Sequence, residues 1–377
     1  MSTLGAAFLV AAVVALCATP AVRRLALHIG AIDRPGVGHL HQRPVPYLGG
    51  IAIFVAFAAA VGVLLLVAPD RGDHAQMYGM LLGGLIVVLL GAVDDLGPFW
   101  SARLPWLADA EGRGLRPAVK LLGQVGAAAV LCAFGVVMYG IQNPFTPATP
   151  DWISFGWAAY PLTVFWVVAI TNGVNLVDGL DGLAAGISSI AAATLLVVAL
   201  LSGDMLAAAL LCAALLGSCL GFLPWNFHPA RIFMGDAGAL FLGFGLGAVS
   251  VVGPLKTTTL VALAVPALAI GLPVVDTVLA IARRWSQGRL VGARDQGHVH
   301  HRLLDLGLGH RDAVLALYVV SGWLGISALA VERLSPVFGA IVVLFVVISV
   351  VLAARLAGIL PRRAAPAPER RASSLRT

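Results

Sequence analysis

The stretch "NGVNLVDGLDGLAAGISSIAAATLLVVALL", residues 172–201, joins two textures. Its second part, 183–201, is an uncharged apolar run long enough to cross a lipid core as a helix. Its first part sets Asn172, Asn175, Asp178 and Asp181 at every third position, with Gly173 and Gly179 between them and Gly182 directly after. A carboxylate inside a span costs about 2.5–3.5 kcal/mol even on the lenient insertion scale, so such groups face a bundle interior or a wet cavity. In an α-helix each step of three slips by about 60°, which smears the four residues around half the helix. The interleaved glycines therefore predict a broken or locally 3₁₀ segment that gathers them on one side of a polar cavity.

The apolar texture recurs along all 377 residues, which are 60% hydrophobic and 11% charged with a mean hydropathy of +0.95. Such a composition excludes a soluble domain, and no alternating ten-residue segments point to an outer-membrane barrel. The fold class is all-α, a polytopic membrane bundle of eleven spans. They are read at 4–20, 47–68, 78–96, 118–139, 157–172, 183–201, 205–223, 237–254, 258–284, 313–331 and 335–357. Cys17, Cys132, Cys212 and Cys219 all lie in apolar runs, as core or lipid-facing residues rather than disulfide partners.

Arg23 and Arg24 follow the first apolar run, the reverse of a secretory signal, so a retained span with its N-terminus outside is expected. Alternation then puts every Lys and Arg except Arg71, Lys256 and Arg333 at the cytoplasmic side, as the positive-inside rule requires. The net charge of +6 serves orientation and contact with anionic membrane lipid, with no need for nucleic acid. Residues 1–357 are the membrane domain, and 358–377 read as a basic, disordered cytoplasmic tail.

The same topology collects the polar motifs on the cytoplasmic face of the plasma membrane. Asp94 and Asp95 end the third span, either as a solvated terminus or as chemistry. Asp236, in "RIFMGDAGALFLG", is either the N-cap of the next helix or a ligand beside Gly235 and Gly238. Five carboxylates on one face suggest a divalent cation, and Mg²⁺ takes one or two of them with substrate phosphates completing the shell. His298, His300 and His301 form H-x-H-H among Arg289, Arg294 and Arg302. A zinc site, solvated loop histidines and an anion site all remain open there, the basic surroundings favouring the anion. Arg43, in the first cytoplasmic loop, contacts either headgroups or a phosphate. Lys120 either snorkels to the interface or reaches a phosphate.

Together "VDDLGPFWSAR…KLLGQ", "NGVNLVDGLDGLAAG", "PWNFHPARIFMGDAGALFLG" and "RDQGHVHHRLLDLG" resemble the polyprenyl-phosphate N-acetylhexosamine-1-phosphate transferases over about residues 20–330. The resemblance implies a Mg²⁺-dependent membrane enzyme (Mn²⁺ being the alternative metal). It would move a sugar-1-phosphate from a UDP-sugar donor to a polyprenyl phosphate acceptor, release UMP, and start a cell-envelope glycopolymer. It also implies catalytic roles for Asp94 and Asp95, a Mg²⁺ ligand at Asp236 with help from Asp95, and a uridine pocket at Asp178–Asp181. Phe233 would stack on uracil, Asn226 falls at a functional asparagine, and His300 and His301 match the histidine pair near the phosphates. Asn172, Asn175, Arg43, Lys120, His298 and Arg302 complete the expected substrate contacts. His-Val-His-His-Arg looks like the branch that uses UDP-GlcNAc rather than UDP-MurNAc-pentapeptide. Three features depart from the family pattern: Gly38–His39, Ala239, and a long segment between Arg103 and Lys120.

A cation- or proton-coupled transporter is the competing class, since it too places carboxylates on broken helices. The bare external loops speak against it. Small residues such as Gly243 and Gly247 permit close helix packing and, with the resemblance, point toward a homodimer.

Overall fold

A computed structural model describes residues 3–33, 43–67, 74–109, 111–112, 114–142, 152–203, 205–252, six positions between 267 and 275, 299–334 and 336–356. It is a helical bundle. The long helices are α1 (Thr3–Ile29), α2 (Gly49–Val67), α3 (His74–Asp95), α5 (Pro117–Ala133), α6 (Ala159–Val177), α7 (Leu183–Leu201), α8 (Leu206–Asn226) and α9 (Gly235–Val252). A short α4 (Gly97–Trp100) follows α3, and α10 (Val299–Asp305), α11 (His310–Arg333) and α12 (Pro336–Leu356) close the described chain. Eight of these helices are long and apolar enough to cross a membrane, and α5 and α12 supply shorter apolar stretches. The expected span at 258–284 lies almost wholly outside the described residues, as do His298 and the tail at 358–377.

Helix α9 is the axis of the bundle: every residue from Ala237 to Val252 is buried, against α2, α3, α6, α7 and α8. Small residues make this possible. A Cβ on Gly243 or Gly247 would press on the backbone of α6 at Thr171 and Val167. The dimer surface expected from these two glycines is therefore corrected, because they pack within the chain. Outward, α3 exposes Leu82 and Leu89, and α12 exposes Phe338 and Phe345, the apolar surface a lipid-embedded bundle presents.

The helix boundaries differ from expectation in two informative places. Helix α6 runs unbroken through Asn172 and Asn175 to Val177, so the predicted break is corrected to the turn at 178–182 alone. Gly173 is tolerated because it is buried, and Asn172 Nδ2 bonds its own helix at the Val168 carbonyl, 2.8 Å away. Helix α5 stops at Ala133, where the N–H groups of Phe134 and Val136 fold back onto the carbonyls of Val130 and Leu131. The all-α reading also misses two small antiparallel pairs, β1 (Ile32–Asp33) with β2 (Val45–Pro46) and β3 (Gly140–Gln142) with β4 (Trp152–Ser154). The first of these brings Arg43 and Tyr47, which flank β2, into the lining of a cavity.

Candidate active site

At one end of the bundle α3, α6 and α8 finish while α7, α9 and α11 begin, around a cavity of about 1200 Å³. Its lining divides into a carboxylate corner and a recess beside it.

The corner is built by α3 and α9. The first N–H groups of a helix lack intrahelical partners and carry partial positive charge. At the start of α9 they are satisfied from another helix: Asp95 Oδ1 accepts from Asp236 N (2.8 Å) and Oδ2 from Ala237 N (3.2 Å). Gly235 adopts φ +68°, and a Cβ there would overlap Asp95 Oδ2, so the close approach requires glycine. Asp95, expected as a metal ligand, thus has both oxygens on the backbone and sets the position of its neighbour. Asp236 Oδ1 accepts from Asn175 Nδ2 (3.0 Å), and its Oδ2 meets the Lys120 ammonium. The same ammonium donates to Asp94 Oδ2 at 3.1 Å, while Asp94 Oδ1 accepts from Leu115 N at 2.7 Å. Two carboxylates from different helices therefore share one cation position. Hard oxygen donors of this kind suit Mg²⁺ or Mn²⁺. Asn172 stands one turn behind, donating to Gln124 Oε1 at 2.6 Å rather than facing the cavity.

The recess is built on the turn that follows α6. Gly182 has φ +78° and starts α7; its N–H donates to Asn226 Oδ1 (3.1 Å) and its carbonyl accepts from the Tyr318 hydroxyl (2.6 Å). Asn226 is only 3% exposed, and its Nδ2 donates to the Ile232 carbonyl at 3.0 Å. It ties the turn to the loop that carries Phe233. That loop is fixed in turn, because Phe233 N donates to the Pro46 carbonyl and Gly49 N to the Phe233 carbonyl, each at 2.9 Å. Phe233, Asp178 and Asp181 all line the cavity. Burial first, then the charges of Asp236 and Asp181, push the Asp178 carboxyl up to about 7.

Asp181 anchors a cluster missing from the sequence expectations. Its Oδ2 accepts from Ala230 N (3.0 Å) and pairs with His228 Nδ1 (2.8 Å), and its own N–H donates to His310 Nε2 (3.0 Å). These three residues lie close enough to invite a metal. The two imidazoles, however, stack at 4.2 Å with planes only 20° apart, so their in-plane lone pairs run parallel and do not converge on one ion. The cluster is a hydrogen-bonded clamp. The backbones of His300 and His301 lie on α10, whose Leu303 and Leu304 pack with Leu308 against Val177 and Leu180 beside the turn. Arg302 pairs with Asp305 at 3.7 Å and does not line the cavity.

His228 sits inside the motif "PWNFHPARIFMGD", and that position was the available clue. No spacing relates 181, 228 and 310, and the same holds for Gln124 and Tyr318.

Residues 77–254 match the glycosyl transferase family 4 model. A Bacillus subtilis protein described as a probable undecaprenyl-phosphate N-acetylglucosaminyl 1-phosphate transferase is 36% identical over 360 residues, 96% of this chain and 94% of that protein. The decaprenyl-phosphate N-acetylglucosaminephosphotransferase of Mycolicibacterium smegmatis is 38% identical over 85% of this chain and 79% of its own length. A phospho-N-acetylmuramoyl-pentapeptide-transferase of Desulforamulus reducens is 35% identical over 66% of this chain and 72% of its own.

Proposed function

The chain belongs to the polyprenyl-phosphate N-acetylhexosamine-1-phosphate transferase family, within glycosyl transferase family 4, and from that premise we propose that it transfers GlcNAc-1-phosphate from UDP-GlcNAc to a polyprenyl phosphate, releasing UMP. The choice of sugar follows the relatives described as N-acetylglucosaminyl phosphotransferases, which are 36% and 38% identical to the chain against 35% for the pentapeptide transferase. Eleven crossings, with the N-terminus outside and the C-terminus inside, put the cavity on the cytoplasmic face of the plasma membrane, where nucleotide sugars are made.

The observation that carries the reading is the shared cation position between Asp94 and Asp236, at the rim of a recess walled by Phe233 and the 178–182 turn. Asp94 and Asp236 would hold Mg²⁺ there. When bound, the metal neutralises diphosphate charge and makes UMP a better leaving group. The chain's own groups do the remainder. Phe233 offers its ring to the uracil face, and the Asp178–Asp181 turn supplies backbone and carboxylate contacts to the nucleoside. Arg43, in the cavity lining, is available to meet phosphate charge. Asp95 keeps Asp236 in place through the α9 N-terminus. The acceptor phosphate, largely dianionic near neutral pH, enters from the membrane side and attacks the β-phosphorus as UMP leaves.

The test is UMP release by the purified chain from a panel of UDP-sugars with a polyprenyl phosphate, with and without Mg²⁺. Metal-dependent release with UDP-GlcNAc is expected. Release only with UDP-MurNAc-pentapeptide would move the chain to the other branch, and no release from any donor would end the proposal.

A further inference from the structure

Asp94 and Asp236 come from different helices and meet across the Lys120 ammonium, which sits where their charges overlap. All three side chains are largely shielded, with exposures of 17%, 26% and 21% in that order. Two carboxylates this close are strongly repulsive unless a cation lies between them. Asn175 occupies the other oxygen of Asp236 and Leu115 N the other oxygen of Asp94, so the ammonium takes the one oxygen of each that the two carboxylates turn on a common cation.

We propose that Lys120 is a resident counter-cation: it holds the Asp94–Asp236 position until a divalent metal arrives with the diphosphate, then turns to the phosphates. The inference rests on the transferase reading of the same site. A metal and an ammonium cannot share so small a space, since like charges a few ångströms apart repel strongly in a shielded site. Lysine is suited to the exchange. Its charge is a compact point on a flexible four-carbon stem with three donors, where an arginine fork would be geometrically committed. Lys120 lies within the first turn of α5, so its stem swings from a fixed base. Metal alone must displace a favourable ion pair and therefore binds weakly. Metal accompanied by a diphosphate gives the displaced ammonium a new anion, so the two ligands bind cooperatively. The site thus resists filling without donor.

The experiment is a Mn²⁺ titration of the full chain in nanodiscs at about pH 8, where carboxylates are ionised, followed by the EPR signal of free Mn²⁺ with and without UDP. The wild type is expected to bind Mn²⁺ weakly alone and more tightly with UDP. Lys120→Met should tighten Mn²⁺ binding without UDP by roughly tenfold or more and shrink the gain that UDP provides. Lys120→Arg, which retains the charge, should stay weak. Lys120→Gln should behave as the methionine variant does, and it takes that variant's place if the latter is not monodisperse. Neutral variants that bind Mn²⁺ no tighter than wild type, or that retain the full UDP gain, would overturn the proposal. Binding that survives Asp236→Asn would overturn it too, because the ion would then lie elsewhere. Failure of UMP release alongside tightened Mn²⁺ binding would remove the reaction and leave the role of the lysine standing.

Discussion

The carboxylate corner and the nucleotide recess sit side by side yet are built by opposite rules. In the corner, side chains meet side chains: Lys120, Asp94, Asp236 and Asn175 hold one another, and the charges can be regrouped around a new ion. In the recess, side chains grip backbone: Asn226 holds Gly182 and Ile232, Tyr318 holds Gly182, and His310 holds Asp181. Backbone partners do not exchange, so on the proposed reading the recess is the fixed part that would set where a nucleoside lies. The corner is the part that the proposal has regroup during turnover. Asp95 belongs physically to the second kind although it stands beside the first, since both its oxygens hold the start of α9.

This contrast makes graded predictions. Asp236→Asn removes a charge from the corner without disturbing its shape, so turnover should fall by about a thousandfold or more, the scale of losing a principal charge-stabilising group, while the thermal midpoint stays near wild type. A variant that loses its fold instead would make Asp236 scaffold and erase the distinction. Asn226→Ala should act the other way. It leaves the Gly182 N–H and the Ile232 carbonyl unpaired in a buried place, at about 1–3 kcal/mol each. The melting temperature should drop, and KM for the UDP-sugar should rise about tenfold with a smaller change in kcat.

Phe233→Ala keeps the backbone bonds that Phe233 makes with Pro46 and Gly49 and removes the ring. Affinity for UDP, measured by calorimetry, should weaken about fivefold to tenfold, the low end of aromatic–base stacking. Unchanged affinity would take Phe233 out of the recess. The smallest effect is on pH dependence. Asp178 carries a carboxyl raised to about 7 against an ordinary value of 3.8. The folded chain therefore holds that proton more tightly than the unfolded chain. The stability it contributes is full below about pH 4 and is lost as pH rises through about 7. Asp178→Asn should flatten the melting-temperature profile of the ligand-free protein over that window; an unaltered slope would mean the carboxyl is ordinary.

The bundle was largely legible because hydropathy alone sets where helices lie in lipid. The apolar run at 183–201 coincides with α7; most other described spans shift by a few residues at their ends, while α1 runs on to Ile29 past the expected end at 20 and α5 stops at Ala133 short of 139. The ends moved where local bonds outweigh composition, as at α6, whose buried glycine and back-bonded Asn172 carry the helix past the expected break. The acids could be named from the sequence because charge is conspicuous in an apolar chain. Their division of labour could not. Nothing in two adjacent aspartates tells which one meets the Lys120 ammonium and which caps a helix 141 positions later. The clamp of Asp181, His228 and His310 was hidden for the same reason, since each histidine alone looks like loop surface.

The central claim is that acids from separate elements converge on a single cation position beside a nucleotide recess. Crystals soaked with Mn²⁺ and UDP-GlcNAc test it most directly through an anomalous difference map. One dominant peak is expected within coordinating distance of the Asp94 and Asp236 carboxylates, with the Lys120 ammonium moved away and nucleotide density against Phe233. A dominant peak on His228 and His310, or no peak at the corner with nucleotide bound, would contradict it.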